Sequence, residues 1–169
     1  MNVIINYKVG NLYNLKNALD FLGLKNRLVS NADEVRNADR ILLPGVGAFL
    51  PAMRNLKNSG MLEAILEKVK KGTPLLGICV GAQLLMDESE EDGRHRGIGW
   101  IPGKVLRFSH NLKIPQIGWN KVFLKKQDPL FHGIPENIHF YFVHSYHILP
   151  SKMSHYLGTS NYGYSFVSA

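Results

Sequence analysis

An α/β fold is what this sequence predicts: a mainly parallel sheet flanked by helices, with an antiparallel extension in the second half. Three observations carry that expectation. Strand and helix signals alternate through the first half, which argues for parallel strands joined by helical crossovers. From Gly97 onward, strand-like runs follow one another with turns and no helices between them, as antiparallel strands do. With 45% hydrophobic and 20% charged residues, there is enough apolar material for a packed core. A length of 169 residues predicts one domain, 1–169.

The elements follow in order. Val3 to Ile5 is a short apolar run that opens the chain as a buried strand. Asn11 is an N-cap; Leu12, Leu15, Leu19 and Leu22 then recur at helical spacing, and Gly23 closes the segment. Arg27 to Val29 is a weak second strand. Asp39 to Leu43 is a third, with a sharp stop expected at Pro44-Gly45. Helical patterns cover about Ala48 to Lys57 and Met61 to Lys71. Thr73 to Ile78 is a fourth strand, and Gly81 to Asp87 the helix after it. Glu88 to Arg96 is charged and Gly-containing, which predicts a surface loop. Strands are expected at Val105 to Phe108, Lys121 to Leu124, Ile138 to Val143, His147 to Leu149 and Ser165 to Ala169.

Composition narrows the function classes. Apolar runs reach only five or six residues, too short to span a membrane. The opening Met1 to Asn6 has no basic region and no small-residue cleavage site, so a cytoplasmic location is expected. The single cysteine, Cys79, excludes an internal disulfide and a multi-thiolate zinc site. The net charge of +7 raises nucleic-acid binding as a possibility. The basic residues are scattered, however, and the densest run, Lys68 to Lys71, suits the end of a helix. Salt-dependent binding to DNA or RNA would be the mark of that class.

Gly77-Ile78-Cys79-Val80-Gly81 is the strongest local signal. It fits a nucleophile elbow, Gly-x-nucleophile-x-Gly, with a strand before it and a helix after it. The glycines let backbones approach closely, and a helix N-terminus would favour the Cys79 thiolate. The Val80 N–H could then donate to an oxyanion. The plainer alternative is a buried structural cysteine at a tight turn. Pro44-Gly45-Val46-Gly47 ends a predicted strand, where open parallel sheets bind ligands. Its free N–H groups could complete an oxyanion hole. A cysteine nucleophile needs a base, usually histidine. None of the seven (His95, His110, His132, His139, His144, His147, His155) is marked out by its neighbours. His144 lies in the most crowded polar cluster, His144-Ser145-Tyr146-His147.

Taken together, these motifs resemble the class I (triad) glutamine amidotransferases. Within them, the sequence is similar to the glutaminase-subunit family of imidazole glycerol phosphate synthases. Asn6-Tyr7-Lys8-Val9-Gly10-Asn11 resembles that family's Asp-Tyr-Gly-x-Gly-Asn. Pro115-Gln116-Ile117-Gly118-Trp119-Asn120 resembles its Pro-His-Met-Gly-Trp-Asn. Phe140 to Tyr146 matches nearly letter for letter, and Tyr162-Gly163 through Phe166 to Ala169 also matches. The resemblance covers the whole chain and implies a flavodoxin-like fold. It implies that Cys79 attacks the side-chain amide of glutamine, releasing ammonia and leaving a thioester that water hydrolyses. Gly45, Val46, Gly47 and Val80 match the oxyanion-stabilising backbone, and Gln83, Ser145 and Tyr146 the residues that hold glutamine. Asn11, Trp119 and Asn120 match the face turned to a (β/α)8-barrel synthase subunit, the heterodimer partner that receives the ammonia. No cofactor and no metal are implied.

Three departures stand against the family pattern. The family places its catalytic His and Glu in a His-Pro-Glu segment after the Phe-Val-Ser-Ala strand, and this sequence contains none. The expectation is that these 169 residues are a shortened version of a longer protein. The alternative is a non-catalytic pseudo-glutaminase that docks on a barrel. Asn6 and Lys8 replace Asp and Gly, and Gln116-Ile117 replaces His-Met. These changes, expected near the partner surface, leave open a paralogue that serves a synthase of surface-polysaccharide sugars.

Overall fold

The computed structural model describes residues 1–135 and 138–169 of the chain, which form two compact units, Met1–Leu85 and Met86–Ala169. In the first unit, Val3, Ile4 and Ile5 are fully buried and build strand β1 (Asn2–Ile5). It pairs in parallel with β2 (Asn26–Val29) and β3 (Arg40–Gly45), and β3 pairs in parallel with β4 (Leu75–Cys79). The order β2-β1-β3-β4 reverses direction between β1 and β3. Ligands of such sheets bind outside the carboxyl ends of the strands at that switch point.

Helix α1 (Leu12–Phe21) starts at Asn11, whose side-chain oxygen accepts the Asn14 N–H at 3.3 Å. Its leucine stripe is less covered than the spacing implies: no residue of α1 is fully buried, and Leu22 just beyond it is exposed. Short α2 (Ala32–Arg36) is capped by Asn31. Helices α3 (Phe49–Asn58) and α4 (Met61–Lys70) supply the core with Phe49, Ala52, Met53, Leu56, Met61 and Ile65. Burial of that apolar face, worth about 25 cal/mol per Å², is what holds both helices in place.

Two expectations for this unit need correction. Strand β3 does not stop at Pro44-Gly45 but runs through both, with Pro44 opposite Ile78 and Gly45 opposite Cys79. The reason lies in the alternation of the backbone. The Ile41 N–H donates to the Pro74 carbonyl, so residues 41, 43 and 45 face β4 and residues 42 and 44 face β1. The β1–β3 register ends at Ile4 and Leu42, so nothing asks Pro44 for the N–H it lacks. The helix after Cys79 is also shorter than expected. It is a single turn, α5 (Val80–Gln83), because Leu84, Leu85 and Met86 are buried in a turn and a new strand.

The second unit is built of strands. Its main sheet contains β5 (Met86–Ser89), β6 (His95–Arg96), β7 (Ile101–Arg107), β9 (Phe123–Leu124), β11 (Tyr146–Pro150), β12 (Gly158–Tyr162) and β13 (Tyr164–Val167). Strands β8 (Gln116–Lys121) and β10 (His139–His144) form a separate antiparallel ribbon. The charged stretch 88–96 is thus not simply a loop. Glu88 can sit in a strand because Arg94 and Lys104 meet its carboxylate at 2.6 and 2.9 Å. Lys121 to Leu124 is two strands, interrupted at buried Val122. The β12 strand had no apolar signature, and its buried Ser160 is satisfied internally, its Oγ donating to Ser168 Oγ at 2.9 Å.

Candidate functional site

The first unit gathers Tyr7, Gly45, Cys79, Val80 and Gly81 at the carboxyl ends of β1, β3 and β4. Cys79 is exposed and adopts φ 56°, ψ −120°, a conformation that side-chain-bearing residues rarely take. Such strain costs about 1–3 kcal/mol and persists only where neighbours enforce it. The enforcement here is visible at the flanking glycines. A Cβ on Gly81 would lie 1.7 Å from the Leu43 carbonyl oxygen. One on Gly77 would lie 2.7 Å from Ala82 Cα, and one on Gly45 3.0 Å from both the Gly81 nitrogen and Val80 Cβ. The end of β3 therefore presses directly on the elbow, and the thiol is turned out to solvent. This is how a nucleophile is presented. The helix behind it is a single turn, shorter than the helix the sequence leads one to expect at the thiol.

The backbone alternation points the Gly45 N–H at β4. Val46 and Gly47 follow the last β3–β4 pair, and Val46 is exposed. Val80 opens α5 with its side chain buried, and Gln83 is buried on the same turn. Asn11 spends its side-chain oxygen on capping α1. Lys8 is exposed with φ 64°, a left-handed conformation that suits the glycine of the family pattern better.

Sequence reasoning did not single out Tyr7 as a member of the site. Its ring is fully buried, and its hydroxyl donates to the Pro44 carbonyl at 2.6 Å. Burial, and secondarily the nearby Cys79 charge, push its phenol pKa above the ordinary value, so it stays protonated as a donor. Its place directly after β1, at the switch point, was the available signal.

The second unit holds the remaining predicted residues. Ser145 links β10 to β11, and its carbonyl accepts the Phe108 N–H at 3.0 Å. Tyr146 opens β11; partial burial, then Glu91 and Asp92, raise its phenol pKa. Both ring nitrogens of His144 are engaged, Nδ1 with the Tyr146 carbonyl and Nε2 with the Gln116 side-chain amide, each at 2.9 Å. His147 Nδ1 meets the Ile148 carbonyl at 3.1 Å and Nε2 the Tyr164 hydroxyl at 2.9 Å. Phe108 packs against both imidazoles. These two histidines read as satisfied structural groups. Gln116 is buried with them, so its departure from the family pattern lies inside the unit and not on its surface.

On the ribbon, Trp119 lies opposite Tyr141 and Ile117 opposite Val143. All four are exposed: 71%, 56%, 59% and 57%. The Trp119 and Tyr141 rings meet edge-on at 5.8 Å. Asn120 has the opposite sense along the strand. Its amide donates to the Asn161 carbonyl at 2.9 Å, and its oxygen accepts the Lys121 N–H at 2.8 Å.

Burial lowers the pKa of His144 and of His147 from the usual 6.5. The unfolded chain therefore takes up these protons first as the pH falls. Their contribution to stability is intact above about pH 6.5 and is lost on acidification through the lowered folded values. The melting temperature is expected to drop between pH 7.5 and pH 5.5. His147→Gln, which keeps a polar group toward Tyr164, should flatten that dependence. An unchanged slope in the variant would assign the effect to other groups.

Comparisons with known proteins agree with this geometry. The family described as glutamine amidotransferase class-I matches residues 3–164. The imidazole glycerol phosphate synthase subunit HisH of Wolinella succinogenes is 46% identical over 171 residues, covering 98% of this chain and 83% of that protein. The HisH subunit of Aquifex aeolicus is 43% identical, covering 99% and 81%. Among solved structures, a glutamine amidotransferase superposes with a TM-score of 0.73 at 16% identity, covering 96% of this chain and 86% of that one. PurLQS from Thermotoga maritima gives 0.71 at 17% identity, covering 95% and 74%.

Proposed function

Because this chain belongs to the class-I glutamine amidotransferase family, we propose that it is the glutaminase subunit of an imidazole glycerol phosphate synthase in histidine biosynthesis. The observation that carries the chemistry is Cys79, exposed and held at positive φ between glycines that admit no side chain. The relatives named HisH, at 43–46% identity over nearly the whole chain, support the pathway. The family match runs from residue 3 to 164, across both units, which supports reading 1–169 as one glutamine amidotransferase domain.

In this reading, the Cys79 thiolate attacks the side-chain amide carbon of glutamine. A C–S bond forms, and the developing oxyanion is stabilised by backbone N–H groups of Val46, Gly47 and Val80, on a segment that Gly45, paired with Cys79, anchors to β4. The C–N bond then breaks as ammonia leaves with the proton that the thiol gave up on ionising, carried by the acid–base histidine that the resemblance implies, and water hydrolyses the glutamyl thioester to glutamate and free thiol. Gln83, Ser145 and Tyr146 hold the glutamine. Ammonia passes to a (β/α)8-barrel synthase subunit, the cytoplasmic partner in a heterodimer. Asn11, Trp119 and Asn120 are the residues assigned to that contact. The exposed ribbon face supports Trp119, and the internal hydrogen bonds of Asn120 give it a supporting role behind that face.

The decisive experiment mixes the protein with the synthase barrel and measures glutamate release from glutamine. Release in the complex, matched by formation of the imidazole product, is expected. A barrel that makes product with free ammonia, yet gains nothing from glutamine and this subunit, would overturn the reading. Trp119→Ala is expected to weaken subunit binding by roughly 2 kcal/mol, about thirtyfold, as buried aromatic anchors do. Titration of one subunit with the other measures it, and an unchanged affinity would remove Trp119 from the interface.

A further inference from the structure

We infer that Tyr7 is a positioning residue for the oxyanion-stabilising segment, acting through the Pro44–Gly45 peptide. The inference rests on the glutaminase reading above and adds a residue that acts through the backbone of the segment. The Tyr7 hydroxyl donates to the Pro44 carbonyl at 2.6 Å from a fully buried ring. That carbonyl lies on the β1 side of β3, beyond the last β1–β3 pair at Leu42. Tyr7 thus supplies the partner that the ladder no longer provides there. In a planar trans peptide the carbonyl and the following N–H point opposite ways. Fixing the Pro44 carbonyl toward Tyr7 therefore fixes the Gly45 N–H toward β4.

Gly45 is tightly enclosed. A Cβ placed on it would meet the Tyr7 hydroxyl at 2.7 Å and the Gly81 nitrogen and Val80 Cβ at 3.0 Å. The last constrained peptide before Val46 and Gly47 is thereby set between the phenol and the elbow. Oxyanion stabilisation depends on where N–H dipoles point before charge develops, and misdirection lowers turnover more than substrate affinity. Without the hydroxyl, the Pro44 carbonyl loses its buried partner, and the root of the segment is free to rotate.

The test is Tyr7→Phe, which keeps the buried ring, assayed in the complex with the synthase barrel. Expected is a fall of about tenfold in kcat for glutamine hydrolysis, with KM changed less than about threefold. Alkylation of Cys79 by iodoacetamide needs the thiolate but no oxyanion hole. Its rate and pH midpoint should stay at the wild-type values. Wild-type kcat in Tyr7→Phe would overturn the inference. So would a parallel loss in alkylation, which would mean that the thiol itself had moved. Gly45→Ala supplies an independent check. Removing the hydroxyl opens part of the enclosure, so the loss caused by Gly45→Ala should be smaller in the Tyr7→Phe background than in wild type. Equal losses in both backgrounds would also count against the inference. A wild type that releases no glutamate while Cys79 still alkylates would overturn the glutaminase reading and this inference with it, whereas an active wild type with an equally active Tyr7→Phe variant overturns this inference alone.

Discussion

Cys79→Ala is expected to abolish glutamine hydrolysis, by at least about 10⁴-fold, and to leave the fold in place. No other thiol exists in the chain to replace it, and loss of the nucleophile removes the covalent route altogether. The fold survives because the site is exposed, so a lost sulfur opens no cavity. The backbone at φ 56° adds a second expectation that a simple active-site knockout does not contain. Alanine keeps the strain of that conformation, whereas glycine relieves it. Cys79→Gly should therefore be equally inactive yet melt above Cys79→Ala, by a margin equivalent to about 1 kcal/mol. Residual turnover in either variant would remove Cys79 from the mechanism. Identical melting temperatures would show that the turn stores no strain.

Gly81→Ala has the larger effect on stability. The added Cβ would sit 1.7 Å from the Leu43 carbonyl oxygen and 2.7 Å from its carbon. Both atoms are backbone in the middle of a four-stranded sheet, so no side chain can rotate away. The end of β3 and the turn α5 would have to separate by more than an ångström. That costs roughly 3 kcal/mol or more and pulls the elbow off the segment it leans on. A lower melting temperature, or insoluble protein, with loss of glutaminase activity is the expected outcome. A variant with wild-type melting and wild-type kcat would mean that β3 and the elbow are not in the contact described.

Much of the first unit was legible because its signals are local. Val3 to Ile5 could only be a buried strand. Asn11 sits where a capping side chain must sit, and the amphipathic patterns of α3 and α4 place their apolar residues on one face. The elbow was legible for the same reason, since glycine spacing around a cysteine is written in five consecutive residues. The failures were all cases where a distant neighbour decided. Pro44 reads as a stop, but β1 ends before it and asks nothing of its missing N–H. Leu84-Leu85-Met86 satisfies burial as helix or as strand, and pairing with β7 chose the strand. Glu88 looks like loop until Arg94 and Lys104 are seen against it.

The sequence by itself determined the α/β class and the family and singled out Cys79 as the nucleophile to propose, because each rests on residue types at short fixed spacings. Only the tertiary structure decided that Cys79 is strained, since its φ is imposed by Leu43 and the end of a strand more than thirty residues away. It also decided that Asn120 turns inward while Trp119 stays exposed, because the register of two paired strands sets which side chains face out. And it brought Tyr7 beneath Gly45, a contact across 37 residues that no pattern within one segment can contain.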